Sequence, residues 1–138
     1  MAKPSTNILM AAIKERWTAQ NVGSSFPGGI LEHQIQERTA RDYAVIQPTV
    51  DRTKTRTNCS QYDEVELTIY VMTSTPERAG ELLEILKAAL DYAPLVLHGG
   101  DLLYFRNGTV SFSQEDQLEK ASINYEALVA RSVNYSPA

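Results

Sequence analysis

The sequence predicts a two-layer α+β domain in which two helices pack on one face of a mainly antiparallel, mixed sheet. Apolar residues occupy every other position from Val65 to Val71, which is the period of a strand with one face on a core. Directly afterwards the period changes to that of one helix face. The residues of this face are Ala79, Leu82, Leu83, Leu86, Ala89, Leu90 and Ala93. Strand-like segments joined by tight turns elsewhere in the chain favour antiparallel pairing.

The first predicted element is a helix over residues 5–20. Ser5 or Thr6 can cap its N-terminus, because a hydroxyl oxygen accepts a hydrogen bond from a free backbone N–H group. Its apolar stripe consists of Ile8, Leu9, Ala12, Ile13 and Trp17. The glycines and the proline of residues 23–29 end the helix in a loop. We expect Trp17 to pack in the core.

Two short strands are predicted before the middle of the chain. One covers Ile30 to Ile35, and the other covers Tyr43 to Gln47. Pro48 is expected to end the second strand, because proline has no N–H group to donate to a neighbouring strand.

The long segment of residues 49–61 is almost entirely polar. Its three cations are Arg52, Lys54 and Arg56. The segment is predicted either as a long mobile loop or as the tip of a hairpin with Tyr43–Gln47 and Tyr62–Thr73 as its arms. Threonine alternates with Arg or Lys, so we interpret it as extended but unable to bury a face in an isolated monomer. A polar loop of this length is uncommon unless it has a function.

The second predicted helix begins at Pro76 and reaches Ala93. Thr75 is a natural N-cap, and proline is favoured at the first helical position. Glu77 lies in the first turn, where the helix dipole favours an acidic side chain. The long strand before Thr75 therefore leads directly into an amphipathic helix.

The last third of the chain is predicted to form strands. Pro94–Leu97 can begin a strand, and residues 98–101 form a turn. Asn107-Gly108 predicts a tight hairpin turn, because both residues accept positive φ angles. The strands of this hairpin would be residues 102–106 and 109–113.

The C-terminal part is predicted as a connection, a strand and a tail. Residues 114–120 form a polar connection, and alternating apolar residues from Ile123 predict a final strand that reaches about Val133. The tail of residues 134–138 is expected to be flexible.

Length and composition indicate one domain, residues 1–138, without the character of a polyelectrolyte binder. The formal net charge is −4 and the hydrophobic content is 43%. No apolar run approaches the roughly 20 residues of a membrane span, and the N-terminus lacks the layout of a signal peptide. The single Cys59 cannot form an internal disulfide, which agrees with a reducing compartment. We therefore expect a protein made in a cytosol.

No catalytic arrangement is indicated by the sequence. The two histidines, His33 and His98, lie in a predicted strand and in a glycine-containing turn. No Gly-x-Ser-x-Gly segment offers a nucleophile, and Cys59 is interpreted as an ordinary thiol in a polar segment. We expect no enzymatic activity and no cofactor.

Metal binding is not expected either. No two Cys or His residues stand at the spacing of zinc ligands. Asp63, Glu64 and Glu66 are clustered, but Glu64 and Glu66 share the strand face opposite to the apolar one. A solvated or interface-facing strand is therefore favoured over a site for a divalent cation.

The outward face of the central strand favours protein assembly. Its residues are Glu64, Glu66, Thr68 and Tyr70, with Tyr62 at its start. Aromatic and charged residues together on such a face fit a surface that meets another protein chain. The basic run of residues 52–56 has two interpretations. It contacts DNA phosphates or an acidic neighbouring subunit, or it is a solvated segment with incidental charge.

The order of these segments resembles the tail terminator (tail completion, minor tail protein) family of long-tailed bacteriophages. The resemblance covers nearly the whole chain and lies in pattern and order. The similar segments are a helix at Ile8–Lys14, a strand at Tyr43–Ile46, a strand at Glu66–Val71, a helix at Ala79–Leu90 leading into Ala93-Pro94-Leu95, and a strand at Tyr125–Arg131. The Asn107-Gly108 turn departs from this pattern and implies an extra hairpin.

The resemblance implies a structural subunit that forms a hexameric ring on the upper end of the tail tube. Such a ring contacts the tail tube protein, stops tube polymerisation and presents a surface to the head connector protein. DNA leaves through its channel, and no membrane, cofactor or catalytic residue is involved. Arg52, Lys54 and Arg56 would lie in the channel or bridge to an acidic neighbour such as Glu64 or Glu66. The protein would be located in the virion, at the tail or neck, after assembly in the host cytoplasm.

Two alternatives remain open from the sequence. A head–tail connector or neck protein also forms a ring but contacts the portal side. A small ligand-binding or enzymatic α+β domain would instead be a discrete monomer with a deep polar pocket.

Overall fold

The computed structural model describes residues 5–31, 42–57, 59–115 and 117–132. Its elements in chain order are α1 (Ser5–Ala19), a 3₁₀ helix (Val22–Ser25), β1 (Ile30–Leu31), β2 (Tyr43–Arg56), β3 (Ser60–Thr73), α2 (Pro76–Asp91), β4 (Asp101–Glu115) and β5 (Leu118–Ser132). Neither described helix is long and apolar enough to cross a membrane.

The five strands form one sheet in the order β1-β2-β3-β5-β4. Each long strand is antiparallel to its neighbours, whereas the short β1 is parallel to β2 at Ile30↔Ala44. Both helices pack on one face of the sheet, over buried β3 side chains such as Val65, Leu67 and Ile69. The opposite face carries no helix in the described part of the chain. The predicted α+β class is therefore confirmed.

Helix α1 forms over its predicted apolar stripe, but the predicted cap is wrong. Ser5 and Thr6 lie inside the helix, and their hydroxyls donate to the carboxylates of Asp63 and Asp51, each at 2.5 Å. Asp51 Oδ2 also accepts the backbone N–H of Thr6 at 3.1 Å. A carboxylate on β2 therefore satisfies the helix terminus, where negative charge is favoured.

Helix α2 begins as predicted and ends at Asp91, two residues before the predicted end. The hydroxyl of Thr75 accepts the backbone N–H of Arg78 at 3.2 Å, which confirms the N-cap. The buried residues of the helix are Ala79, Leu82, Leu83, Leu86, Ala89 and Leu90. Trp17 connects the two helices: it is 2% exposed, and its Nε1 donates to the carbonyl of Leu86 at 3.2 Å.

Strands β2 and β3 form one long hairpin, so residues 49–61 are not the mobile loop of the first interpretation. The strands extend to Arg56 and start again at Ser60, and only a short turn connects them. Pro48 does not end β2, because a register shift between Pro48 and Val50 forms a bulge there. Proline is tolerated at bulges and on edge strands.

The segment after α2 is irregular, so the strand predicted to begin at Pro94–Leu97 is wrong. The guanidinium of Arg16 donates to the backbone carbonyls of Ala89, Ala93 and Pro94, at 3.1, 2.7 and 3.0 Å. These bonds hold the segment against α1, and the side chains of Leu95 and Leu97 are buried there. The predicted turn at residues 98–101 does form, with Gly99 at a φ of 106°.

Asn107-Gly108 is not a hairpin turn, and the extra hairpin is wrong. Strand β4 continues through both residues, with a register shift between Asn107 and Val110. The turn lies instead between β4 and β5, within residues 114–120 that were predicted as a connection. On either side of the shift, Phe105 stacks on Tyr125 at 4.7 Å and Val110 pairs with Ile123. These long-range contacts outweigh the local turn preference.

Replacing Gly108 with alanine tests this correction. A glycine inside a strand is less favourable than alanine, so we expect Gly108→Ala to leave the free energy of unfolding unchanged or raise it by up to about 1 kcal/mol. A Cβ at this position meets nothing nearer than 3.7 Å. Gly99→Ala is the control, because the positive φ at Gly99 makes a loss of about 1 kcal/mol the expected result. A loss above about 1 kcal/mol for Gly108→Ala in urea unfolding would contradict a continuous β4.

Several predicted features lie outside the described residues. They are the strand predicted beyond Leu31, His33 within that strand, and the flexible tail of residues 134–138.

Candidate assembly interface

The sheet has two long edges without a neighbouring strand in the described part of the chain. Strand β4 pairs only with β5 along its whole length, Asp101–Glu115. Among the described residues, β2 pairs with β1 only at Ala44 and Val45, and no described strand lies along its outer edge from Ile46 to Arg56. Open edges expose unpaired backbone N–H and C=O groups, which are ready to pair with another strand.

The two open edges run in opposite directions. Three antiparallel pairings separate β2 from β4, through β3 and β5. In a ring of identical copies every strand keeps its direction relative to the ring axis. In such a ring, the β4 edge of one copy would meet the β2 edge of the next as an antiparallel pair, and such pairing would preserve the alternation of the sheet.

The sheet face without helices is largely polar, as predicted for Glu64, Glu66 and Thr68, which are partly exposed. Thr68 Oγ1 donates to Asn124 Oδ1 at 2.8 Å, and Arg106 Nε lies 3.2 Å from Glu126 Oε2. This side of the sheet is called the bare face below.

Tyr70 corrects the expected exposure of the bare face. It is only 4% exposed and packs in a second apolar cluster with Tyr43, Val45 and Met72. Lys120 Nζ lies 4.3 Å from the centre of its ring. One end of the bare face is therefore apolar and covered, so the surface predicted to meet another chain is shorter than expected.

Arg52 is paired within its own chain. Its guanidinium lies 2.9 Å from Glu64 Oε1, directly across the hairpin on the bare face. The side chain of Arg52 is 67% exposed, and exposed pairs of this kind contribute about 0–1 kcal/mol. The structure thus brings together two of the predicted residues, as a pair on one subunit.

Lys54 and Arg56 do not share a face with Arg52 as simple alternation would require. A register shift between Thr53 and Thr55 places Lys54 in a bulge, and Arg56 then stands opposite Gln61 on the helix-bearing side. Both cations are exposed, and neither has an ion-pair partner among the residues that the structure describes.

Glu66 stands directly opposite Glu126 on the bare face. Two carboxylates in a cross-strand pair repel each other. Arg106, on the far side of Glu126, offsets part of this charge. The centre of the bare face is therefore acidic.

Asp63 anchors the turn end of the β2–β3 hairpin, a structural role that the sequence analysis missed. Its side chain is 2% exposed and accepts hydrogen bonds from Ser5, from Thr53 at 3.1 Å and from Gln61 at 2.8 Å. Arg131 Nη2 completes the cluster at 3.1 Å. Asp63 occupies a core-facing position of the alternating strand β3. A charged residue at such a position could have identified Asp63 as a structural residue from the sequence.

Burial alone would raise the pKa of Asp63, but its partners outweigh that effect. Hydrogen bonds from Ser5, Gln61 and Thr53, together with the positive charge of Arg131, hold the pKa of this carboxyl below its ordinary value. Asp63 is therefore a stable carboxylate. It joins α1, β2, β3 and β5 at one point.

A groove lies beside the open edge of β4. It has a volume of about 480 Å³ and lies between the segment Leu90–Leu95 and the strand residues Leu102–Phe105. Tyr92 and Leu103 line it although they are 72% and 52% exposed. Exposed apolar side chains beside an open strand edge indicate a surface for another protein. No sequence pattern predicts this groove, because it forms only where the end of α2 packs beside the start of β4.

Reactive groups do not converge in the described part of the chain. Cys59 is exposed near the hairpin turn, and His98 is exposed and lies 3.2 Å from Glu15. Within the described ranges, no three His, Cys, Asp or Glu residues are grouped so as to hold a metal ion. The surface features that stand out are thus the two edges, the bare face and the groove.

The chain is similar to a known protein family and to solved structures. The family described as tail completion protein gp17 matches residues 11–130. The chain resembles a chain of the virion of a native gene transfer agent particle, with a TM-score of 0.69 and 17% identity over 91% of this chain and 96% of the other. It also resembles bacteriophage SPP1 gp17, with a TM-score of 0.52 and 17% identity over 97% and 94%. At this identity the two structures support the fold. No curated protein sequence matches the chain.

Proposed function

This chain belongs to the tail completion protein gp17 family, as the order of its segments predicted, and on that premise we propose how it acts. It is a structural component of a phage tail. It caps the tail tube as a ring, ends tail polymerisation and forms the surface that joins the tail to the head. Its partners are further copies of itself, the tail tube protein and the head connector protein, and its location is the tail or neck of the virion, after assembly in the host cytoplasm.

The observation that carries the ring is the pair of open sheet edges. Because β2 and β4 run in opposite directions, rotation about one axis joins them head to tail and closes the sheet. A closed sheet leaves no free edge, which removes the risk of uncontrolled strand pairing. Pairing of β2 with β4 of the next copy also continues the antiparallel alternation of the sheet across each junction between copies.

The bare face then lines the channel of the ring, and the helices lie outside. At the centre of this face, the acidic residues Glu64, Glu66 and Glu126 outnumber the cations Arg52 and Arg106, each of which is paired to one of them. Lys120 lies farther along the face, over the ring of Tyr70. An acidic lining repels DNA phosphates, so DNA passes without binding tightly. The channel lets DNA pass and does not bind it tightly, because sequence-independent affinity for DNA needs free cations.

Negative-stain microscopy of the purified protein, with and without purified tail tubes, tests this function. We expect rings at one end of each tube, and no further growth of capped tubes when tube subunits are added. Tubes without the protein are the control and continue to grow. A protein that binds isolated heads but not tubes would contradict the tail-capping role and favour a connector on the portal side.

A further inference from the structure

Given the ring proposed above, on which this inference rests, we propose that the groove beside β4 receives Lys54 and Arg56 of the neighbouring copy. The groove is the one between the C-terminal end of α2 and the start of β4. The contact is heterologous: one copy contributes two cations, and the next contributes an acidic and aromatic receptor.

The receptor side is acidic and lacks a local cation for its outermost acids. Asp91 lines the groove, and Asp101 directly precedes its strand residue Leu102, on the bare-face side of β4. Both acids are exposed and have no ion-pair partner in the described ranges. Helix α2 ends at Asp91 without a basic residue in its last turn. The guanidinium of Arg16 already binds the carbonyls of Ala89, Ala93 and Pro94 at this end of α2. The two carboxylates are therefore the groups that attract a further cation.

Asp91 lies across the groove from the β4 residues Leu102–Phe105, above the buried Tyr125. Tyr125 is 2% exposed, and burial followed by the nearby Asp91 carboxylate raises the pKa of its hydroxyl. Asp91 and Phe105 line the same groove, and Phe105 stacks on Tyr125. An incoming cation at the groove meets this carboxylate directly.

The donor side carries cations that project from the opposite edge. The register shift between Thr53 and Thr55 directs Arg56 toward the helix-bearing side, where the groove of a neighbour also lies. Lys54 occupies the bulge itself. Bulges at sheet edges often serve to redirect a side chain.

The two sides are at the same height in the sheet. Thr55 pairs with Tyr62, Tyr62 with Ala130, and Ala130 with Asp101, so one row crosses all four long strands. When copies join without stagger, Thr55 of one copy meets Asp101 of the next. Lys54 and Arg56 lie on either side of Thr55, and a stagger of one residue moves them by only about 3.3 Å.

The apolar part of the groove suits long basic side chains. The guanidinium carbon of Arg16 lies 6.0 Å from the centre of the Tyr92 ring. Tyr92 is nevertheless 72% exposed and can accept a further guanidinium or ammonium group, because cations are attracted to aromatic faces. The aliphatic stems of Lys54 and Arg56 can cover Leu103 while their charged ends reach the carboxylates. Shape and charge thus both favour a second copy of this chain as the occupant.

Charge reversal on the two sides tests the contact on purified tail tubes. Lys54→Glu with Arg56→Glu, and separately Asp91→Lys with Asp101→Lys, are each expected to raise the protein concentration needed for ring formation by at least about tenfold. Combining all four changes is expected to bring the concentration needed for ring formation most of the way back to that of the wild type, because the charges are again complementary. Glu15→Lys is the control, since Glu15 is an exposed acid on α1 and is expected to leave ring formation unchanged.

Cysteine cross-linking tests the same contact without depending on charge. In a Cys59→Ser background, Arg56→Cys with Tyr92→Cys is expected to give intermolecular disulfides and a ladder up to the full ring. Arg56→Cys with Glu15→Cys is the matched control and is expected to stay uncross-linked, because disulfides need Cα atoms within about 7 Å.

The outcomes separate this contact from the ring itself. If the wild-type protein caps tubes but neither reversed pair weakens capping, or the four changes do not restore it, the contact is overturned and the tail-capping function stands. If the wild-type protein forms no ring on tubes, both proposals fail.

Discussion

Replacing Asp63 with alanine is expected to lower the free energy of unfolding by about 3–5 kcal/mol. The change removes a carboxylate that is 2% exposed and leaves Arg131, whose side chain is 16% exposed, without this charge partner. It also removes the acceptor of three side-chain hydrogen bonds. Removing one member of a buried charged cluster is more destabilising than removing the whole cluster, because the remaining charge stays buried.

The same cluster predicts a pH dependence. The folded pKa of Asp63 lies below its ordinary value of about 3.9, so its stabilisation is fully present above that value. It is lost as the pH falls through the lower, folded pKa. Wild-type stability is therefore expected to fall more steeply below about pH 4 than that of Asp63→Ala, when urea unfolding is measured at several pH values.

Asp51→Ala is a useful control for the Asp63 experiment. Asp51 also binds α1, through Thr6, but it is exposed, so its loss is expected to remove only about 1 kcal/mol. A loss of less than about 1 kcal/mol for Asp63→Ala would show that Asp63 does not anchor the hairpin. In that case the wild type and Asp63→Ala should lose stability equally steeply as the pH falls.

The second large effect is expected in the phage and not in the isolated domain. If the chain caps the tail tube as proposed, its absence leaves the growing end of the tube open, and subunits continue to add as long as they are supplied. Tails of variable and excessive length should accumulate, separate from filled heads. Infectivity should fall to background, because head joining needs the surface that the ring provides.

A complementation series connects that phenotype to the sheet edges. Supplying the wild-type chain in trans is expected to restore normal tails. Supplying the version with Lys54→Glu and Arg56→Glu is expected to restore few, while Glu15→Lys should restore them fully. Circular dichroism of the purified variants checks that each is folded. A folded variant that fails in this assay has lost assembly and not stability.

The centre of the fold was predictable because local and long-range preferences agree there. Residues Val65–Ile69 alternate in burial along β3, and Thr75 caps α2 as its hydroxyl and the following proline predict. An amphipathic pattern indicates only which face of an element meets a core, and the core-facing sides of β3 and α2 were assigned correctly. The family was predictable for the same reason, since the resemblance lies in the order of such segments.

The errors occur where distant contacts override local chemistry. Asn107-Gly108 is a strong turn signal, yet pairing with β5 and the stacking of Phe105 on Tyr125 keep the chain extended. Likewise, Arg16 binds the carbonyls after α2 and prevents a strand at Pro94–Leu97. Neither partner can be found from a local window, because each is distant in sequence.

The candidate interface was predictable in composition but not in geometry. Arg52, Lys54 and Arg56 were identified by charge, and Glu64 and Glu66 by strand period. The bulge between Thr53 and Thr55 separates the cations onto different sides, which no pattern of alternation reveals. The groove at Tyr92 and Leu103 exists only once α2 and β4 are packed together.

The distribution of tail lengths in particles made without this chain tests the central claim most directly. Electron microscopy of lysates gives that distribution, with the complemented phage as the reference. The account predicts a broad distribution of unjoined tails that extends beyond the normal length. A single, normal tail length on infectious virions would contradict it.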